Sequence, residues 1–324
     1  MNPTGRHPSR TAGALALALA GFLFGSTFLV VQGAVEKAAV TPFLAARFLL
    51  AAAVLWPIAR RRDATEGEVR HGVVAGLSLL AGYLFQTEGL RYTNSATSAF
   101  ITYLLVVFVP LLQAIRTRRP PTRAVAVGVV LCVIGLVALS GGVSGLGRGE
   151  VLTLMGAFGF AVHILIVGDV TRRHDPFRFT MWQVLTVGFA CLVPGFFSVG
   201  GYDFDGDVWL AVVFCAVGAT AVGFWCMSWA QRVVPEAQAA LILLVEPVSA
   251  GILGQLAGED LGALGLLGAA LILFGVVVAE LWGRRDHEAP MPLPTELQPP
   301  ADPPDGSEAS DLSDASVRRD VGFG

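Results

Sequence analysis

Lysine occurs once in this 324-residue chain, at Lys37, and charged residues of all kinds make up only 15 % of it. A phosphate-cradling nucleotide loop requires a Gly-Lys-Ser/Thr element, and Lys37 sits in Val-Glu-Lys-Ala. ATP-driven work within the chain is therefore excluded. Because Lys37 falls in a loop between apolar stretches, it also argues against a retinal pigment. Cysteine is scarce: Cys132, Cys191, Cys215 and Cys226 all fall inside apolar stretches without ligand-like spacing, so neither disulfides nor zinc are implied. There is no His-Glu-x-x-His, Gly-x-Ser-x-Gly or Asp-rich cluster, and membrane-embedded hydrolase or transferase chemistry would need such a group at one membrane face. The chain is not expected to be an enzyme, to need a cofactor or metal, or to bind nucleic acid.

What fills the chain is apolar. Ten stretches, at 11–31, 42–58, 72–89, 96–115, 124–140, 151–167, 179–197, 208–229, 237–256 and 261–282, run almost end to end. Each is close to the ~20 residues a helix needs to cross the hydrocarbon core. Only helices or a closed barrel satisfy their backbone there, and continuous runs are not the alternating pattern of barrel strands. The expected fold is all-α and integral to the membrane, with ten transmembrane helices.

Basic residues set the orientation, since loops rich in them stay in the cytoplasm. With the N-terminus inside, the cytoplasmic segments carry sixteen arginines, while the opposite loops hold only Lys37, Arg91 and Arg148. Both termini are thus expected in the cytoplasm of a multi-pass protein of the cell membrane. Arg10 followed by 14–24 resembles a secretory signal, but the apolar run continues to Val31 with no small-x-small cleavage site, so a retained span is expected. The net charge of −3 comes from 283–324, a Pro-, Asp-, Ser- and Glu-rich segment that cannot bury enough apolar surface to fold. It reads as a disordered cytoplasmic tail, mirrored by a short cytoplasmic segment at 1–10.

Five stretches precede the loop 141–150 and five follow it, and the two sets resemble each other. Gly128-Val-Val-Leu-Cys-Val-Ile-Gly135 matches Gly268-Ala-Ala-Leu-Ile-Leu-Phe-Gly275; Ala99-Phe100-Ile101 matches Ala240-Leu241-Ile242; Arg91 matches Arg232. A repeat of five spans is odd-numbered, so its second copy enters from the other side. Inverted repeats of this kind place a site near the midplane and open it alternately to each face. The expected domains are two five-helix repeats, 11–140 and 150–282.

At these residues the chain resembles the EamA-type members of the drug/metabolite transporter superfamily. The resemblance is carried by Phe24-Gly25-Ser26-Thr27-Phe28, Ala45-Ala46-Arg47-Phe48, Leu244-Val245-Glu246-Pro247-Val248 with Gly258-Glu259, and the closing glycines of the last stretch. It covers about 11–282. It implies ten spans in two EamA repeats and export of a small metabolite. The chain departs from the pattern at Phe24, where the family usually has Trp, and at Arg118-Arg119, which stands in the first half where Gly258-Glu259 stands in the second.

Polar residues inside apolar stretches are the candidate site. Arg47 either snorkels to the nearer interface or faces a cavity, and Gln183 at the equivalent place in the second half favours the cavity. Glu246, next to Pro247, is either the point where a proton or cationic group couples to conformational change or a neutral side chain bonding two helices. Pro247 is expected to free the carbonyl of Leu243. His163 is either packed and neutral or on a proton path. Trp225 can stack on a planar substrate and Trp229 anchors an interface, while Ser26 and Thr27 line the cavity or permit close packing. Glu88 is expected to pair with Arg91, and Glu259 with Asp260 to cap the last helix. The reading is a secondary transporter of a small metabolite, an amino acid or related compound or a drug, with protons as a candidate coupling partner. An integral-membrane enzyme and a non-transporting sensor are the rival classes.

Overall fold

The computed structural model describes residues 10–142, 146–170, 173–230, 234 and 242–283. The expectations for the ends, for Arg232 and for the first part of the ninth stretch lie outside these residues. Every element among them is helical. They are α1 (Arg10–Lys37), α2 (Val40–Ala59), α3 (Glu68–Gly89), α4 (Ser95–Tyr103), α5 (Leu105–Thr117), α6 (Arg123–Leu139), α7 (Arg148–Val170), α8 (Pro176–Phe196), α9 (Gly206–Val213), a π-helical segment Phe214–Gly223, α10 (Phe224–Ala230), α11 (Val245–Leu256) and α12 (Gly262–Gly283).

Seven spans among the described residues are long and apolar enough to cross a membrane, and α6 is a shorter apolar helix. The expected stretch at 72–89 forms α3, the least apolar of the long helices because it carries Ser78, Gln86, Thr87 and Glu88. The stretch at 96–115 is a broken helix: α4 ends and α5 begins at Leu104, whose carbonyl accepts from both Val107 and Phe108. The last part of the 237–256 stretch is likewise interrupted, by a turn at Leu243 and Leu244 before α11.

Local sequence explains the helix starts. Asn94, Thr122, Asp175 and Asp205 each accept a backbone N–H of the first turn of α4, α6, α8 and α9, as short polar side chains at N-caps do. Burial then follows contact with neighbouring helices rather than with water. Phe43, Leu44, Phe48, Leu79, Val184, Val187 and Val212 form one core among α1, α2, α3, α8 and α9, and Phe100, Ile101, Leu136 and Ile272 form another among α4, α6 and α12. Outward faces are equally apolar: Leu15, Leu77, Val130, Phe189, Leu210 and Phe274 are all exposed. A surface of that kind is stable against lipid, where the drive to pack comes from shape and small residues instead.

The α6–α12 pair shows how. It is the most extensive helix packing in the structure, and it is built on the glycines the sequence repeats. A Cβ added at Gly128 would lie 2.6 Å from the Gly275 carbonyl oxygen, and one at Gly135 would lie 2.7 Å from that of Gly268. The seven-residue glycine spacing therefore serves contact within the chain.

Polar ties close the two ends of the bundle. At the arginine-rich end Arg178 on α8 grips the Glu68 carboxylate through Nε at 2.8 Å and through its terminal nitrogen, and Arg116 holds Asp169 at 2.7 Å. At the opposite end Thr93 donates to Glu150 at 2.5 Å, Gln32 donates to the Thr93 carbonyl, and Lys37 pairs with Asp207 and Asp205. Glu88 meets Arg91 at 3.6 Å and also Arg148 at 3.7 Å. Asp260 accepts from Gly262 and so caps α12, but Glu259 does not share that task. Its carboxylate accepts from the Ser95 and Ala96 N–H groups, capping α4 in the other half.

Candidate functional site

Arg47 lies in the third turn of α2 and is 3 % exposed. Its guanidinium carbon stands 5.0 Å from the centre of the Tyr83 ring and 5.3 Å from that of Phe48. Among the described residues no carboxylate comes within ion-pairing distance of it, and its Nε is buried with no hydrogen-bond partner. Two aromatic faces offset part of the desolvation of a buried cation, each by about 0.5–2 kcal/mol. A buried charge is nevertheless several kcal/mol above its solvated state unless it is paired and hydrogen-bonded. The side chain is thus packed among helices, against α3.

Tyr83 on α3 is the hub. Its ring meets Phe48 edge-on at 4.8 Å and Phe160 of α7 at 5.1 Å. It stands within electrostatic reach of Arg47, of the Glu246 carboxyl and of the Cys215 thiol. Four elements thus converge: α2 supplies the cation, α3 the phenol, α11 the carboxyl and the π-helical segment the wall. Tyr83 and Glu246 are half-buried between helices. The wider turn of a π-helix is the kind of irregularity that accumulates at functional sites, and here Thr220 bonds back to the Cys215 carbonyl at 2.9 Å within it.

The Glu246 region differs from the sequence expectation. Pro247 does not leave the Leu243 carbonyl free, because that oxygen accepts from the Glu246 N–H at 2.9 Å in the turn before α11. Glu246 therefore occupies the first turn of a helix rather than the middle of one. Unpaired N–H groups of a helix start favour negative charge. Gly25 of α1 lets that turn approach: α1 packs along α11 there, with Ser249 3.0 Å from the place a Gly25 Cβ would take.

The other sequence candidates divide. His163 of α7 donates from Nε2 to Gln183 Oε1 at 2.5 Å, and Gln183 donates in turn to the Phe179 carbonyl at 3.3 Å. These two residues form a pair of their own, and no hydrogen bond joins Gln183 to Arg47 among the described residues. Ser26 and Thr27 are buried with their hydroxyls bonded to the Leu23 and Phe24 carbonyls at 2.8 and 2.6 Å, an arrangement that suits packing on α11. Trp225 is 47 % exposed. The Trp229 side chain lies outside the described residues. Sequence reasoning missed Tyr83, the only tyrosine in its apolar stretch, and the buried Gln86–Thr102 bond of 2.9 Å between α3 and α4.

Comparison with known proteins gives concordant findings. The model of the EamA-like transporter family matches residues 11–141 and 147–281. A protein of Archaeoglobus fulgidus named an uncharacterized transporter is 29 % identical over 268 residues, 82 % of this chain and 85 % of its own. A second from the same organism, with the same name, is 28 % identical over 191 residues, 59 % of this chain and 68 % of its own. A crystal structure 21 % identical in sequence superposes with a TM-score of 0.60 over 86 % of this chain and 99 % of its own, a likeness of fold.

Proposed function

From the premise that the chain belongs to the EamA-like transporter family, we propose that this multi-pass membrane protein is a secondary transporter that exports a small amphoteric metabolite, an amino acid or close relative, by alternating access. The observation that carries the reading is the buried Arg47 without a counter-ion, across Tyr83 from Glu246. A substrate carboxylate supplies the missing acceptor at Arg47, and a substrate ammonium, or a proton when the site is empty, answers Glu246. Charge-assisted hydrogen bonds of that kind are worth about 1.5–3 kcal/mol each, so a zwitterion gains at both ends what a cationic drug gains at one. Export and cytoplasmic termini follow from the family resemblance and from the sixteen-to-three division of basic residues.

Alternating access needs two related halves, and the packing supports ten spans arranged as inverted five-helix repeats. Exchanging each helix for its counterpart five spans later turns α3–α7 packing into α1 packing on the π segment and α10. It likewise turns α1–α11 into α7 against α4 and α5, and it leaves α6–α12 and α2–α8 unchanged. The breaks at Leu104 and at Leu243–Leu244 fall at nearly equivalent places. Purified protein in liposomes should accumulate or exchange radiolabelled neutral amino acids and ignore quaternary-ammonium drugs. The opposite preference overturns the substrate class, and no transport of either by correctly inserted protein overturns the reading in favour of a membrane enzyme or sensor.

A further inference from the structure

Two histidines at the arginine-rich end take no part in the site above. His71 on α3 and His174 in the turn before α8 face each other, Nδ1 to Nε2, at 2.8 Å, with ring centres 5.1 Å apart. His174 is 7 % exposed, lies flat on Phe179 at 5.6 Å, and reaches the Thr65 hydroxyl through its other nitrogen at 2.6 Å. Thr65 in turn sends its backbone N–H to Glu68 at 3.1 Å and has its hydroxyl 3.3 Å from the same carboxylate oxygen. Glu68 is held by Arg178 and by the Trp182 indole at 3.3 Å. A continuous chain of polar contacts therefore runs from α3 through the preceding loop to the start of α8.

The chain can be followed proton by proton. The His71–His174 bond needs one hydrogen, from either ring. With the pair neutral, His174 accepts from Thr65 or donates to it, and the bond forms in both cases. With one added proton on His174, the ring donates from Nε2 to His71 and from Nδ1 to Thr65, whose hydroxyl donates to Glu68, so every group stays satisfied. A second added proton places two N–H groups head to head at 2.8 Å, each on a cation. No rotation of either ring mends that, because an imidazolium carries two N–H donors and no acceptor in any orientation. Among the charges acting on His174, Arg173 opposes a cation there and Glu68 favours one, but the Glu68 carboxylate is already engaged by Arg178.

We propose that His71 and His174 form a proton-operated latch between α3 and α8, which holds at most one added proton while closed and parts to take a second. The two helices it joins carry Tyr83 and Gln183 within their apolar spans, so the latch governs how the arginine-rich end of that interface separates. Burial and the neighbouring His71 push His174 below the usual imidazole value, in the same sense. A group depressed in the closed state favours closure above its ordinary value near 6.5 and loses that contribution as pH falls through its closed-state value. Acid therefore opens the latch.

The test is a distance and needs no substrate, so it stands apart from the transport reading. Spin labels at Glu66→Cys and Arg173→Cys, both exposed positions, report the separation across the latch in purified full-length protein in nanodiscs by pulsed electron resonance. The unsubstituted parent serves as control for its four buried cysteines. Between pH 7.5 and 5 a longer-distance population should grow, its ratio to the shorter one rising by up to about tenfold per pH unit. His71→Gln keeps a donor and an acceptor but cannot titrate, and should hold the short distance throughout; His174→Gln repeats the test should the first variant not fold. A distribution unchanged by pH, or one that responds equally in the glutamine variants, overturns the proposal.

Discussion

Arg47 is a buried cation with no ion-pairing carboxylate among the described residues, bordered by the Phe48 and Tyr83 rings and the Tyr83 phenol, and in the proposed function the substrate carboxylate completes its surroundings. Arg47→Ala should lower transport at least tenfold while the protein stays inserted, since a charge-assisted pair of about 1.5–3 kcal/mol is lost. Arg47→Lys keeps the charge but not the planar donor fork, so it should raise the half-saturating concentration more than it lowers the maximal rate. Uptake curves in liposomes separate the two. Glu246→Gln preserves shape and a hydrogen-bond donor. It should abolish accumulation driven by an imposed pH gradient and spare exchange of substrate down its own gradient; unchanged accumulation would show a neutral structural Glu246 instead. Glu68 is a structural case. It is 3 % exposed, and the Arg178 guanidinium holds its carboxyl down to about 2 from 4.5. Its contribution is complete above pH 4.5 and lost as pH falls through about 2. Glu68→Gln leaves Arg178 unpaired and should cost about 3–5 kcal/mol, read as a lower midpoint of thermal unfolding at pH 7 whose deficit shrinks on acidification.

At the scale of helices, the membrane made much of the fold legible. A bilayer leaves no alternative to helices for long apolar runs, so α2, α7, α8 and α12 could be read from their composition with ends within about three residues, whereas α1 continues past its expected end at Val31 to Lys37. Arg47 and Glu246 stood out because charge is rare in such runs. What could not be read depends on contacts between distant segments. Arg178 looked like one more orienting arginine, yet its partner Glu68 lies 110 positions away. Tyr83 carries no charge, and its role exists only because α2, α7 and α11 meet at its ring. The break at Leu104 has no Gly or Pro to announce it, since Pro110 lies beyond it. The turn at Leu243–Leu244 falls where Pro247 removes a helical bond four residues back, and the π-helical segment holds Gly218 and Gly223, residues equally common in the regular helices of this chain. The glycine pairs of α6 and α12 were visible as a repeat, but which surface they served was not. Their contact is now specific enough to test: Gly135→Leu would drive a side chain into the Gly268 carbonyl and Ile272. It should destabilise the fold by more than the 1–3 kcal/mol of ordinary overpacking, measured as loss of monodisperse protein on extraction, while Val133→Leu on the exposed face should be silent.

For the molecule as a whole, the asymmetry between its ends and the symmetry between its halves have to agree. If ten spans are threaded, sixteen arginines fall on one side and three basic residues on the other, an imbalance of the kind that sets the direction of the first helix, and each further crossing inverts it. The loop at 200–206 follows the seventh expected span and the residues after α12 follow the tenth, so the two must lie on opposite sides if ten spans are threaded. An odd repeat of five is the one that turns matching sequence into inverted structure: with six spans per half the same packing equivalences would require parallel copies, and no exchange of inward and outward states would result. Reporter fusions after Gly206 and after Gly283 therefore test thread and mechanism together. The first is expected to report the outside and the second the cytoplasm. Both on the same side would mean that a segment after Gly206, such as the interrupted one before α11, fails to cross, and the paired gates that alternating access requires would go with it; failure of α3, the least apolar long helix, would instead exchange the two reports.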